Sequence, residues 1–198
     1  MFAPRPVLLA PLAAVALAGC GLNSVPTAEE AAKAKWADVQ NQYQRRADLI
    51  PNLVATVKGY AAQEKSVLEG VTEARARATS VQVSADDLTD PAKVEQFQQA
   101  QAQLSGALGR LLAVQENYPD LKSNANFLAL QSQLEGTENR IAVARQDYNE
   151  AVRAYNTRIR TFPDAIGAKI FYGAKPMQTF QATAPNAQNA PTVSFDAN

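Results

Sequence analysis

Histidine is absent from this 198-residue chain, and cysteine occurs once, at Cys20. The first absence removes the commonest general base, the usual activator of hydroxyl and thiol nucleophiles, and the usual transition-metal ligand. Helix-borne metal sites that pair Glu with His one turn apart go with it. A lone cysteine excludes disulfide stapling, thiol catalysis and thiolate zinc sites in the folded domain. The nine glycines are scattered, so no glycine-rich phosphate loop exists. Charge of one sign is also lacking: 19 basic residues balance 19 acidic ones. No nucleic-acid partner is expected from that balance. Period-two patterning is nearly missing, which argues against strands. Asp, Glu, Lys, Arg, Tyr and Ser remain for chemistry, a poor catalytic inventory. No metal, other cofactor or catalytic residue is expected.

What the chain does have begins at its amino terminus. An apolar run from Val7, through Leu8, Leu9, Leu12 and Val15, leads into Leu17-Ala18-Gly19-Cys20. The run is shorter than the ~20 apolar residues that span a bilayer, and small residues precede the cysteine. This is the pattern of a bacterial lipoprotein signal peptide. On that reading residues 1–19 are removed between Gly19 and Cys20, and Cys20 carries lipid, including palmitate-type acyl chains. Several chains give a stable anchor, since each buried CH2 adds about 0.8 kcal/mol. The removal of Arg5 leaves a mature charge of about minus one. Gly21, rather than Asp, follows the cysteine and favours the outer membrane if the host is Gram-negative.

The remaining 179 residues suffice for one domain with a real core. Residues 20–26 read as a lipidated tether, 27–180 as the domain and 181–198 as a tail disordered by composition. Thr27 with Glu30 matches a capping box. Seam positions then recur at alternating steps of three and four through Trp36, Val39, Tyr43, Arg46, Ile50, Leu53, Val57 and Tyr60, which keeps one face toward a partner helix. Pro51 predicts a kink or break near Leu49-Ile50. Residues 80–90 lack period and read as a loop. Asp90-Pro91 opens a second helix, and its seam runs through Val94, Phe97, Leu104, Leu108 and Leu111. A third seam passes Phe127, Leu134, Ile141, Tyr148 and Tyr155 to Phe162. Helices over about 28–79, 91–118 and 123–161 give an all-α fold, an elongated antiparallel bundle of three to four long helices. The stretch from Ile166 to Phe180 is expected to cover a bundle end, the alternative being a docking patch at Phe171, Tyr172 and Phe180.

Charges fall on these seams. Arg46 and Glu64 lie on the first, and Glu138 and Arg145 beside the third. Such groups are costly unless paired and hydrogen-bonded, so the reading we favour is an interhelical polar network that fixes register. The competing reading makes Glu64 or Glu138 a buried general acid, but packed bundles seldom offer the open cleft that requires. Asn52, Asn117, Asn124, Asn139, Asn149 and Asn156 form a second group. Most read as helix-end caps and surface amides. The alternative, which adds Tyr118, Tyr148 and Tyr155, is a polar groove beside the two kinks at Pro51 and Pro119, suited to a peptide or a glycan.

The motifs Tyr43-Gln44-Arg45-Arg46-Ala47-Asp48-Leu49-Ile50-Pro51-Asn52, Glu116-Asn117-Tyr118-Pro119-Asp120-Leu121 and Leu134-Glu135-Gly136-Thr137-Glu138-Asn139-Arg140 resemble signatures of LemA-type bacterial envelope proteins. The resemblance extends over roughly residues 30–180. It implies a membrane-anchored bundle of long antiparallel helices, with no established activity and no catalytic residues. Many of that family resemble proteins with an N-terminal transmembrane helix, where this chain offers a lipidation cysteine. The expected function is therefore a non-enzymatic, lipid-anchored scaffold that faces the periplasm and meets other envelope or membrane proteins. A cell-wall glycan hydrolase that uses carboxylates alone is the alternative.

Overall fold

A computed structural model describes residues 23–181, and these fold into an up-down-up-down helical bundle with no strand among them. The expected signal peptide, Gly19, Cys20 and residues 182–198 of the tail lie outside the described residues. Helix α1 runs Ser24–Tyr60, α2 Lys65–Ser80, α3 Pro91–Ala113, α4 Pro119–Lys122 and α5 Ala125–Arg158. A last turn, α6 (Asp164–Gly167), passes into a π-helical turn at Ala168–Tyr172. With 37 residues, α1 is about 55 Å long at 1.5 Å per residue.

The start of α1 differs from the capping-box expectation. The helix begins at Ser24, because Pro26 falls in the first turn, where its missing N–H costs nothing. The Thr27 hydroxyl donates to the Asn23 carbonyl at 2.7 Å, and Glu30 pairs with Lys33 instead. Asp90 behaves as its sequence implies, accepting from the amides of Ala92 and Lys93 ahead of Pro91. Asn124 caps α5 by accepting from the Phe127 amide at 2.9 Å.

The expected break near Leu49-Ile50 is not where the chain turns: α1 continues through Pro51. Proline removes the donor that would serve the Ala47 carbonyl. Arg75 of α2 replaces it, its Nε donating to that carbonyl at 2.7 Å. The reversal comes ten residues later, at Ala61–Glu64. Folding back there lays Leu68, Val71 and Ala74 of α2 over Ile50, Leu53 and Val57, one continuous apolar cluster with Leu104, Leu108, Leu111 and Phe127.

With only sixteen residues, α2 covers just the distal half of α1. The proximal half is closed differently. Val83 and Leu88, from the connection that the sequence leaves as a loop, enter a second cluster with Trp36, Tyr43, Phe97, Ile141 and Tyr148. Residues 85–89 of that connection form a 3-10 turn, with Ser84 and Asp87 capping each other. The carboxy-terminal stretch completes this half. Gly173, at φ +54°, reverses the chain after the π-helical turn, and residues 174–181 run back along α5 as a strap. The expectation that all of Ile166 to Phe180 covers the bundle end is therefore corrected. Met177 and Phe180 lie in the side of the core, and the third seam ends before Phe162, which is exposed.

Candidate functional site

The two apolar clusters meet at a polar layer across the waist of the bundle. Tyr43 belongs to the proximal cluster and Ile50 to the distal one, with Arg46 between them. Gln101 stands likewise between Phe97 and Leu104, and Thr137 between Leu134 and Ile141. Arg46, Gln101 and Thr137 are the buried polar side chains among the described residues. Each comes from a different long helix at the same height.

Arg46 is 1% exposed and is held by its fork. Its Nη1 donates to Ser105 Oγ at 2.8 Å and to Glu138 Oε1 at 2.9 Å, while Nη2 donates to Gln101 Oε1 at 2.6 Å. The planar fork suits this fixed set of acceptors better than an ammonium would. The guanidinium carbon lies 5.0 Å from the Tyr43 ring centroid. That contact offsets part of the cost of Nε, which has no hydrogen-bond partner among the described residues. Gln101 spends its amide on the Ala78 carbonyl at 3.2 Å, one of the last-turn carbonyls that α2 leaves without a helical partner. The layer thus ties α1, α2, α3 and α5 together through one cation.

The four charged residues that sequence reading grouped do not all converge. Arg46 and Glu138 pair. Glu64 lies at the α1–α2 reversal, where its carboxylate accepts from the Tyr118 hydroxyl at 2.9 Å. That bond raises the Tyr118 pKa above its ordinary value. Arg145 makes no ion pair with Glu138. Its Nη2 donates to the Gln181 carbonyl at 3.0 Å, and its guanidinium covers the Phe180 ring at 4.7 Å. A cleft of about 200 Å³ opens beside the layer, lined by Tyr43, Arg46, Ser105, Glu138, Arg145 and Phe180, among others. Glu138 is its single carboxylate, set between two guanidiniums. A two-carboxylate hydrolase needs a second acid some 5–10 Å away across the cleft, and the lining supplies none. Burial pushes the Tyr43 phenol up, against the pull of Arg145 and Arg46.

The strap is the feature that sequence reading resolved least. Asn156 grips Met177 at both backbone groups, its Nδ2 donating to the carbonyl and its Oδ1 accepting from the amide, each at 2.9 Å. Asn149 repeats the pattern on Phe180, at 3.0 and 2.8 Å. Between them the Gln178 carbonyl accepts from Tyr148 at 2.8 Å, and its amide donates to Leu88. Of the asparagine group, Asn149 and Asn156 are thus neither caps nor idle surface amides. They line a groove that holds extended peptide, and the peptide is the chain's own. Phe180 stacks on Trp36 at 5.8 Å and meets Tyr148 edge-on at 5.6 Å. The seven-residue spacing of Asn149 and Asn156, two turns on one face, is the signal that could have revealed it.

Among the described residues no helix is long and apolar enough to cross a membrane, and no cluster of acidic residues could hold a metal ion. The chain is 29% identical over 159 residues to the magnetosome proteins MamQ 1 and MamQ 2 of Paramagnetospirillum magneticum, which covers 71% of this chain and 58% of theirs. It is 25% identical over 124 residues to protein LemA of Metamycoplasma hominis, covering 63% of this chain and 52% of that one. The chain therefore spans a little over half the length of the curated relatives it matches. A family model described as the LemA family matches residues 35–195, which take in the polar layer, both asparagine clamps and the strap. The chain belongs to the LemA family.

Proposed function

We propose that this chain is a non-enzymatic, lipid-anchored scaffold of the bacterial cell envelope. Cys20 would carry the lipid, and the bundle would project into the periplasm, from the outer membrane if Gly21 sorts it there. The observation that carries the reading is the fate of the interior polar groups. Arg46, Glu138, Glu64, Arg145, Asn149 and Asn156 each hold a helix, a turn or the strap, so the chemistry of the chain serves its own rigidity. The names of the relatives denote an organelle or the family, and none is an activity. A stiff rod with its polar interior used internally offers other proteins a surface in a fixed position.

Crosslinking in intact cells, followed by mass spectrometry, tests this. Specific and reproducible envelope or membrane proteins are the expected result. Their absence, together with cell-wall cleavage by the pure protein, overturns it. Replacement Cys20→Ser tests the anchor separately: incorporation of labelled palmitate should be lost, and membrane retention should no longer survive a high-salt wash.

A further inference from the structure

Most of the large apolar side chains that the bundle exposes stand at one of its ends. Phe162, Ile166, Ile170 and Phe171 are 82%, 53%, 69% and 66% exposed, with Tyr172 beside them at 43%. Elsewhere among the described residues only Tyr60, Leu128 and Val143 are large, apolar and exposed, and they are scattered. The way these residues are held inverts ordinary packing. The turns over residues 164–172 bury Gly167 and Ala168 and direct the isoleucines and aromatics outward. Ala168 is what joins the core, in the cluster with Val25 and Tyr155. A turn that buries its smallest residues and exposes its largest does not serve the core, and exposed apolar residues gathered in one short segment mark an interaction site.

Charge narrows the occupant. From residue 158 to 176 there are four cations, Arg158, Arg160, Lys169 and Lys175, against one carboxylate, Asp164, and at the start of α1 Glu29 and Glu30 both pair with Lys33. Asp164 is already engaged by Arg158 at 3.6 Å. Arg160, Lys169 and Lys175 are exposed around the apolar residues. Aromatic and aliphatic side chains rimmed by lysine and arginine suit the headgroup boundary of an anionic leaflet.

Position narrows it further. The pairs Arg46–Glu138 and Lys35–Asp147 set α1 antiparallel to α5, which brings the start of α1 to the end of the bundle that carries the patch. The apolar run and Cys20 precede that start directly, and only Gly21, Leu22 and Asn23 lie between Cys20 and Ser24, a distance of four residue steps. Fully extended, four residues span at most about 14 Å. Whatever attaches there to a bilayer holds the patch against the same surface.

We propose that Phe162, Ile166, Ile170, Phe171 and Tyr172, with Arg160, Lys169 and Lys175, form a lipid-docking face that seats the bundle on an anionic leaflet. The proposal rests on the reading that Cys20 is the membrane anchor. The lipid is the tether, and the face sets the orientation of the rod.

The test uses the full chain, acylated and reconstituted in vesicles of phosphatidylethanolamine with phosphatidylglycerol. A polarity-sensitive thiol dye is placed at Phe171→Cys, with Leu128→Cys at the opposite end as control. The expected result is a blue-shifted emission at position 171, quenched by a lipid-borne quencher and reversed by Ile166→Glu with Ile170→Glu, and a water-like emission at position 128. A water-like emission at position 171 in protein that remains vesicle-bound overturns the docking face and leaves the anchor standing. A blue shift that needs no vesicles and grows with protein concentration also overturns it, in favour of a second copy. If the dye reacts with Cys20, or the chain does not stay with the vesicles, the anchor reading fails instead. The docking face is then judged on the Cys20→Ser chain added to the same vesicles. Salt-sensitive binding that drops more than about tenfold with Ile170→Glu and Phe171→Glu supports it, and an absence of binding overturns it.

Discussion

The Nε of Arg75 donates at 2.7 Å to the carbonyl of Ala47, the one carbonyl of α1 that Pro51 cannot serve. A residue on the neighbouring helix thereby makes a proline tolerable in the middle of a 37-residue helix. If the two are coupled in this way, their substitutions will not add. Arg75→Ala should cost about 1–3 kcal/mol in the native chain, because a charged donor is lost from a carbonyl without a second partner. In a Pro51→Ala background the restored N–H serves that carbonyl, and the same change should cost under about 1 kcal/mol. Urea melts of the four proteins measure the cycle. Equal costs in both backgrounds would show that the bond does not compensate for the proline.

The polar layer predicts a rank order. Arg46→Ala empties a buried site and leaves Gln101 and Ser105 without their donor, and should cost about 2–5 kcal/mol. Glu138 is 41% exposed, so its charge is screened by solvent. Glu138→Gln should cost about 1 kcal/mol or less, with a measurable fall in Tm. A reversed order, or no loss from Glu138→Gln, would remove the layer as a stabilising network.

For the strap, Asn149→Ala removes two hydrogen bonds from Phe180, and Asn156→Ala removes two from Met177. Each change should cost about 1–3 kcal/mol. Release of Phe180 also uncovers Trp36, the single tryptophan of the chain. Its emission should move to the red, and residues 174–181 should become sensitive to protease before the helices do. Unchanged tryptophan emission in the double variant would mean that the strap is held by other contacts.

Acid and alkali should act on different ends of the connection and strap. Hydrogen bonds from Lys93 and Ser84 lower the Asp87 pKa to about 2, below its unfolded value near 4. Its contribution to stability is therefore present above pH ~4 and is lost as pH falls from there toward 2. Asp87→Asn should flatten the acid limb of a stability–pH curve over that window. Burial raises the Tyr148 phenol well above its ordinary value near 10. The unfolded chain then releases that proton first, so stability falls as pH rises past about 10. Tyr148→Phe should blunt that alkaline loss, at the cost of the hydrogen bond to Gln178. An unaltered alkaline limb in the variant would assign the loss to other groups.

Read as a string, the chain already specified its helical class and its buried stripes. Trp36, Val39, Tyr43, Ile50, Leu53 and Val57 recur at steps of three and four and are all buried, as are Val94, Phe97, Leu104, Leu108 and Leu111. Periodicity of this kind is local, because it reports which face of a helix needs cover. It also placed Arg46 on that face and so announced a buried charge. It could not name the partner. Glu138 pairs with Arg46 across the interface and not with Arg145 of its own helix, because that choice depends on the height at which α5 slides past α1. The turn at Ala61–Glu64 was equally illegible, since Pro51 is the stronger local stop and only the Arg75 bond from the next helix, 28 residues away, offsets it. The strap escaped for the same reason: hydrogen bonds from Asn149, Asn156 and Tyr148 to main chain some thirty residues away or fewer leave no trace in hydropathy. Residue type and spacing decide what each helix must bury, whereas register, reversal and the path of the strap depend on contacts between distant segments and exist only once the bundle has closed.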